Sequence, residues 1–482
     1  MSENKNGLGL FALIGFVVSS CIGSGVFATT GQLANVAAPG PALIAWVVVG
    51  LGFLFLALSL ADLGAKRPDV EGLYEFASEG FGPFAGFLSG WGYWLSAWLG
   101  NVGFATMIAQ VLAGAIPGVF STGVAGSPNM VAIAAVSVFL WAITFLVING
   151  VESAALLNSV VMVVKIAAIF IFIAFAAICF NAGVFTADFW GTLERNAAVI
   201  AQNGVSLGDV PQQVINCILI MMWMFIGIEG ASVMSARANK KSDVGRATII
   251  GLVVLLVLYI GASILPYGVM PYEALIAAPS PATTTVFEYM APGWGGTFLN
   301  VSIIVAVLGC WLSFTMLPAE TSSGMSRDHL LPASWNKMNK KGAPRMALII
   351  VSACAQVVLV VAHFAADAYT FAISMCTVTI ITSWSLAAAY QIKLGIKNGS
   401  AKSIIFGAAA LTFQVASVLL SGWTWMLLSC LGYIPGFYFY LKARKEGGAA
   451  GLTKGEKVAC AVIALLGAAS IPLTIVGVIP VF

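Results

Sequence analysis

Three features of the chain set polar chemistry inside apolar sequence. Cys21-Ile22-Gly23-Ser24-Gly25 brackets a serine with glycines within a long apolar run. Phe225-Ile226-Gly227-Ile228-Glu229-Gly230 repeats the device in the second half of the chain and adds a carboxylate. Lys165 stands alone, far from either end of its own apolar run. Glycine weakens a helix interior and favours unwinding. Unwound backbone inside a bilayer survives only where protein or a water-filled cavity satisfies its freed groups. An ionisable side chain at that depth is costly and functional by default. Close helix packing is the plainer use of such glycines, but two interrupted helices at matching positions of two halves point to a substrate site at the midplane. Freed N–H groups at the positive end of a half-helix bind a carboxylate, and freed carbonyls bind an ammonium. A zwitterionic α-amino acid offers both.

The elements that hold these residues are membrane helices. Of 482 residues, 60% are hydrophobic and 9% charged, against about 25% charged in a soluble domain. Lipid is the solvent, and the chain reads as one transmembrane domain, 1–482. The polar start MSENKNG and the long apolar stretch behind it do not form a cleavable signal. All eight cysteines fall in apolar segments without CxxC pairs, which reads as small buried hydrophobes rather than disulfides or metal ligands. With two histidines, no clustered carboxylates and no nucleophile–base pair, neither an enzyme nor a metal or cofactor site is expected. No loop is long enough for the soluble domain a receptor would carry, and no nucleic-acid partner is indicated.

At roughly 20 apolar residues per crossing, thirteen spans are expected: 8–35, 41–64, 84–114, 129–149, 153–181, 213–236, 247–270, 296–325, 346–364, 367–391, 403–421, 423–441 and 456–480. With the N-terminus inside, 20 of the 22 Lys and Arg fall in cytoplasmic segments, from Lys5, Lys66 and Arg67 through Arg237, Arg327 and Lys393 to Lys457. The exceptions are Arg195 and Lys165. That bias predicts a cytoplasmic N-terminus and an external C-terminus in a multi-pass cell-membrane protein.

Along nearly its whole length the chain resembles the amino acid–polyamine–organocation superfamily. The resemblance is carried by SSCIGSGVF, EGLYEFASEGFG, GYWLSAWLGN, NSVVMVVKIAAI and WMFIGIEGASVMSARA. Within it the chain is similar to the basic amino acid/polyamine antiporters, and VFTADFWG at 184–191 and a thirteenth span suit the arginine–ornithine antiporter branch. The resemblance implies an all-α, leucine-transporter-like 5+5 inverted repeat with helices 1 and 6 broken. Repeat one covers about 8–181, repeat two about 213–391, and additional helices about 403–480. It also implies alternating access and a homodimer.

Carried over by motif, Ile22, Gly23, Ser24 and Gly25 would bind the substrate carboxylate, and Trp223, Ile226 and Gly227 its amino group. Asn101 with the backbone of Ser96 and Ala97 would receive the distal cation. Glu229 resembles a gating acid, and Tyr93 and Trp98 match aromatics of the external access path. One departure is Phe314, with Trp311 a turn earlier, where the arginine–agmatine relatives stack a tryptophan on the guanidinium. Phe is the weaker partner within a range of about 0.5–2 kcal/mol, which favours a smaller or less planar cation such as ornithine, lysine or an imidazole-bearing amino acid.

In sodium-independent superfamily members, a lysine matching Lys165 takes the place of a coupling sodium ion and clamps span five to the break in span one. Glu320 is read as a buried acid that either pairs with Lys165 or a substrate amine, or faces the inner vestibule. Asp62 and Asp367 read as structural, and His329 and His363 as surface residues. The expected activity is sodium-independent exchange of a cationic amino acid for its metabolic product, arginine for ornithine first. Histidine–histamine, lysine–cadaverine and arginine–agmatine exchange, proton-coupled uptake and a non-transporting receptor remain open.

Overall fold

Prolines and short polar side chains fix where the helices begin. Helices α1 (Leu10–Cys21) and α2 (Gly25–Ala34) flank the first glycine motif. Pro39 opens α3 (Pro39–Lys66), and after α4 (Leu73–Phe81) Pro83 opens α5 (Pro83–Ala115). Proline fits there because its missing N–H would be unpaired in the first turn anyway. The chain continues through α6 (Met130–Asn149), α7 (Glu152–Ile178), the short α8 (Glu194–Asn203) and α9 (Val210–Trp223). The Asp209 carboxylate caps α9 by accepting from the Gln212 amide. Next come α10 (Lys241–Ile264), α11 (Ala282–Met290), α12 (Gly295–Arg327) and α13 (Arg345–Ala362). Asp367 caps α14 (Ala368–Lys397), a structural task for that carboxylate. Ser400 caps α15 (Ala401–Ser417), which leads into α16 (Trp423–Glu446), and a Thr453–Glu456 capping box starts α17 (Lys454–Ile475).

The computed structural model describes residues 9–67, 70, 72–123, 127–149, 152–230, 238–364, 367–449 and 451–479, without the side chains of 152–160, 241 and 242. Lys5, Arg237 and the end of the expected sixth span, 231–236, lie outside the described residues. Among those described there is no β-strand; isolated bridges pair Ser121 with Pro128 and Met338 with Pro344.

Ten of the described helices are long and apolar enough to cross a bilayer, or eleven when α1 and α2 count as one span bent by 47°. The expected thirteen differ for two reasons. Helix α9 has only 14 residues before its regular turns stop at Trp223. Where separate spans 403–421 and 423–441 are expected, the chain forms one helical run of 46 residues. A π turn, Val418–Gly422, joins α15 to α16 without a loop.

Helix α5 is the centre of the bundle. Of its most apolar stretch 89% is buried, against 11% for α17, which therefore stands at the lipid-facing edge. The most extensive packing joins α5 to α14 and α12, α3 to α10, and α14 to α15. Asp62 at the end of α3 accepts from Lys66 at 2.8 Å, from Ser403 at 2.7 Å and from Gln391, tying α3, α14 and α15 together. Seven of the eight cysteines are buried or half-buried as expected, but Cys179 is exposed. It follows the last residue of α7, where the chain leaves the bundle. His329 is exposed, whereas His363 is half-buried at the end of α13.

Residues 181–209 cover the end of the bundle opposite α4. The Gly40 amide donates to Phe189 O (3.0 Å), and Gln213 binds Ala38 N, Trp190 O and Gly208 O. Arg195 is buried beneath this cover, donating to Ala187 O and Val184 O and lying over the Tyr272 ring at 4.9 Å. Asp188 adopts a left-handed φ of 46° and accepts from the amides of Thr192, Leu193 and Arg195. Partial burial raises its pKa, but those amide bonds outweigh it and hold the carboxyl below the ordinary value. A depressed folded-state pKa stabilises above the unfolded value, and the contribution is lost as pH falls through the folded one. Asp188→Asn is therefore expected to lower the melting temperature at pH 7, and the difference from the parent should shrink progressively as pH falls below about 4.

Candidate substrate site between two broken helices

The break between α1 and α2 releases carbonyls that a helix would have used. Each of four consecutive ones meets a side chain. The Lys165 ammonium donates to Ser19 O (2.5 Å) and Ile22 O (3.0 Å). Cys310 Sγ donates to Ser20 O (3.5 Å), and the Tyr259 hydroxyl stands 2.9 Å from Cys21 O. The same hydroxyl lies 2.8 Å from Met224 O, in the segment where α9 stops. Its one proton serves one carbonyl at a time. Across the gap, Ser20 Oγ reaches Gly227 O at 2.9 Å and Cys21 Sγ reaches Phe225 O at 3.7 Å. The two interruptions therefore face each other, held by side chains instead of helical turns.

Gly227 is required twice over. Its φ of 108° suits only glycine, and an added Cβ would come within 2.9 Å of Ser20 O. Gly25 sits so close to Trp223 that a Cβ there would be 3.0 Å from the indole. Ser24 is fully buried, with its hydroxyl bonded to Tyr369 at 3.0 Å. The first amides of α2 have no partner within their helix, and they open on a cavity of about 10 Å³. That is room for about one water.

This cavity gathers the sequence-predicted Gly23, Ser24, Gly25, Trp223, Ile226 and Phe314. Ile22 and Gly227 are buried beside it in the broken segments. The structure also supplies wall residues that sequence reasoning missed: Phe104, Met224 and Cys310. Phe104 packs edge-on to Phe314, with ring centres 5.1 Å apart, and lies 5.9 Å from Trp223. No sequence signal separates Phe104 or Tyr259 from other aromatics of an apolar helix.

Other expected residues stand off the wall. Ser96 and Ala97 are buried, and Ser96 is engaged with Cys376 through both its hydroxyl (3.2 Å) and its carbonyl (3.0 Å). Asn101 lies one turn from Phe104, donates to Phe314 O (3.3 Å), and its Oδ1 has no partner among the described residues. Glu229 is buried with one carboxylate oxygen similarly unpartnered. Trp98 is buried edge-on against Trp94 and lines neither cavity described here.

One expectation is corrected. Glu320 is exposed, not buried, and forms no pair with Lys165, whose ammonium is taken by the two span-one carbonyls. Tyr93 lines a cavity of about 150 Å³ beside α4, together with Glu320 and Arg327, at the end of the bundle that carries the basic residues. Pro83 starts α5 at that end, so Tyr93 is only ten residues inside it.

Membrane-crossing helices interrupted in facing positions, with an amide-lined and aromatic-walled cavity between them, define a polytopic membrane transporter. The amino acid permease family matches residues 8–439, and the chain belongs to that family. It is 46% identical to an arginine/ornithine antiporter of Latilactobacillus sakei, over 99% of both chains. It is 39% identical to the arginine/ornithine antiporter ArcD1 of Lactococcus lactis, over 97% of this chain and 89% of that one. An arginine/agmatine antiporter of Chlamydia pneumoniae is more distant, at 33% over 99% of this chain and 98% of the relative.

Leaving a buried carbonyl without its donor costs about 1–3 kcal/mol. Tyr259→Phe removes a hydroxyl that reaches a carbonyl of each broken segment while keeping the ring. It is expected to lower the melting temperature and slow amino-acid uptake in proteoliposomes about tenfold, equivalent to about 1.4 kcal/mol. Unchanged uptake would show that the link is dispensable.

Proposed function

We propose that this protein exchanges external arginine for internal ornithine by alternating access, without sodium. The observation that carries the substrate pair is the near-full-length identity of 46% to an arginine/ornithine antiporter. The geometry supports the amino-acid ligand independently. The α2 amides and Ser24 offer a carboxylate site, the carbonyls of the second broken segment an ammonium site, and Phe104, Trp223 and Phe314 a wall for the side chain. Asn101 Oδ1, an acceptor with no donor among the described residues, one turn along α5, suits the distal cation. Glu229, buried beside the second break, is the gating acid in this reading.

The chain crosses the membrane thirteen times, as two five-helix repeats, 8–181 and 213–391, and three further helices. A 46-residue run spans about 69 Å if straight, more than twice a bilayer core. Its two ends lie on one face. Ser403 at its start bonds Asp62, and Glu446 at its end accepts from the Ala333 amide just beyond α12. Tyr74 links that end of α12 to α4 through Asp328. The run therefore turns back at the π segment 418–422 and crosses twice. The ends gathered on this face carry Lys66, Arg67, Arg327, Lys402 and Arg444, which supports a cytoplasmic assignment and an external position for Arg195.

Liposomes loaded with unlabelled ornithine are expected to take up labelled arginine rapidly in sodium-free buffer, and empty liposomes slowly. Uptake independent of internal ornithine would refute exchange, and failure with ornithine but success with agmatine would reassign the pair.

The Lys165 ammonium supplies a fixed positive charge to Ser19 O and Ile22 O, the task a bound cation performs in a sodium-coupled carrier. Replacing sodium by potassium is expected to leave the parent's rate unchanged. Lys165→Ala is expected to reduce it at least tenfold, because two carbonyls lose their donor in a low-dielectric interior. A parent rate that rises with sodium would overturn the assignment.

A further inference from the structure

The Ser24 hydroxyl is held from outside the wall of the small cavity, by a residue of α14. Asp367 fixes where that helix begins by accepting from the Thr370 amide at 3.0 Å. Tyr369 therefore sits in the first turn, 2% exposed, with its hydroxyl donating to Ser24 Oγ at 3.0 Å. Ser24 is itself fully buried and lines the cavity beside Gly25, where α2 starts. A serine hydroxyl can accept and donate at once. With its oxygen engaged by Tyr369, Ser24 keeps its own proton, which has no acceptor among the described residues. The phenol is not needed merely to join the two helices, because Gln32 of α2 already reaches Thr370 of α14 at 3.3 Å.

We propose that Tyr369 is a positioning residue for substrate selection. It aims the Ser24 proton at the ligand's α-carboxylate, so the site favours an amino acid over the amine left by its decarboxylation. The proposal rests on the carboxylate site given above. Because the phenol donates, the serine proton is turned away from α14 and into the cavity. In a chain from phenol to serine to carboxylate, each donor polarises the next. The last bond is charge-assisted and forms only with an anion in place. A cationic amine without a carboxylate draws nothing from this chain. Arginine and ornithine both carry the carboxylate, whereas agmatine and cadaverine do not. Tyr369 thus bears on which molecules the carrier exchanges, acting through Ser24 rather than on the ligand.

Binding of labelled arginine to the purified full-length protein, displaced by unlabelled arginine, ornithine or agmatine, tests this. Tyr369→Phe keeps the ring and removes the phenolic proton. It is expected to weaken arginine and ornithine about fivefold, the contribution of about one hydrogen bond, while agmatine binds as it does to the parent. Equal weakening of all three would show a structural role and overturn the proposal, as would no change. Ser24→Ala is expected to lose affinity for the same two ligands, and adding Tyr369→Phe to it to cost nothing more. A further loss confined to arginine and ornithine in the double variant would overturn action through Ser24. Gln32→Leu breaks the other link between α2 and α14, and is expected to leave the preference for arginine over agmatine unchanged. A shifted preference there would trace the effect to helix packing and overturn the proposal. A parent protein that binds agmatine as tightly as arginine would refute the carboxylate site itself.

Discussion

A carbonyl freed inside a bilayer must find a donor, and everything around the two breaks follows from that requirement. A continuous helix settles it with its own amides. Here the chain gives up that solution at 22–24 and again after Trp223, and recruits side chains from distant helices to replace it. Lys165 comes from α7, Tyr259 from α10 and Cys310 from α12. These donors are not equivalent. The lysine has protons for both of its carbonyls, whereas the tyrosine faces two with one proton. The lysine therefore fixes the first break against α7. The tyrosine links the two breaks through a bond that can pass from one to the other without stranding a donor.

That contrast divides the molecule into parts that hold and parts that can move. Helix α5, with α12 and α14 packed along it, is buried on almost every side, and rows of aromatic contacts such as Phe87–Tyr440 and Trp91–Phe439 weld α16 and α5 into the same block. At the basic face, Asp62 gathers three donors from as many helices, and Arg67 pairs with Glu79. At the opposite face, the 181–209 cover grips the starts of α3 and α9 through Gly40 and Gln213. Between these fixed ends, the segments around Gly23 and Gly227 are joined by single hydrogen bonds. Motion is cheapest there.

Much of this was legible in the chain, and the boundary of what was legible is physical. Paired glycines beside Ser24 and Glu229 announced the breaks because glycine in an apolar helix has few other uses. Lys165 announced itself because a lone charge at that depth demands a partner. Its partners, by contrast, are backbone carbonyls, which every residue has, so the sequence could say only that some existed. Tyr259 and Cys310 carried no signal at all, since a tyrosine or cysteine in an apolar helix is ordinary until its hydroxyl or thiol meets a carbonyl more than 200 positions away. Glu320 misled for the opposite reason. A carboxylate in apolar sequence reads as buried, but a cavity at the helix end gives it water.

The two cavities differ in a way that bears on why such a carrier would exchange rather than leak. The inner one is contracted to about 10 Å³, its glycines already within van der Waals contact of Trp223, Phe104 and Met224. A site collapsed onto itself keeps its apolar walls dry and its aromatic contacts made, so the unloaded protein has little to gain by opening. An amino acid can enter only by prising those walls apart, and it compensates by giving the first amides of α2 a partner outside their helix. Opening is therefore coupled to having a ligand of the right charge pattern at hand.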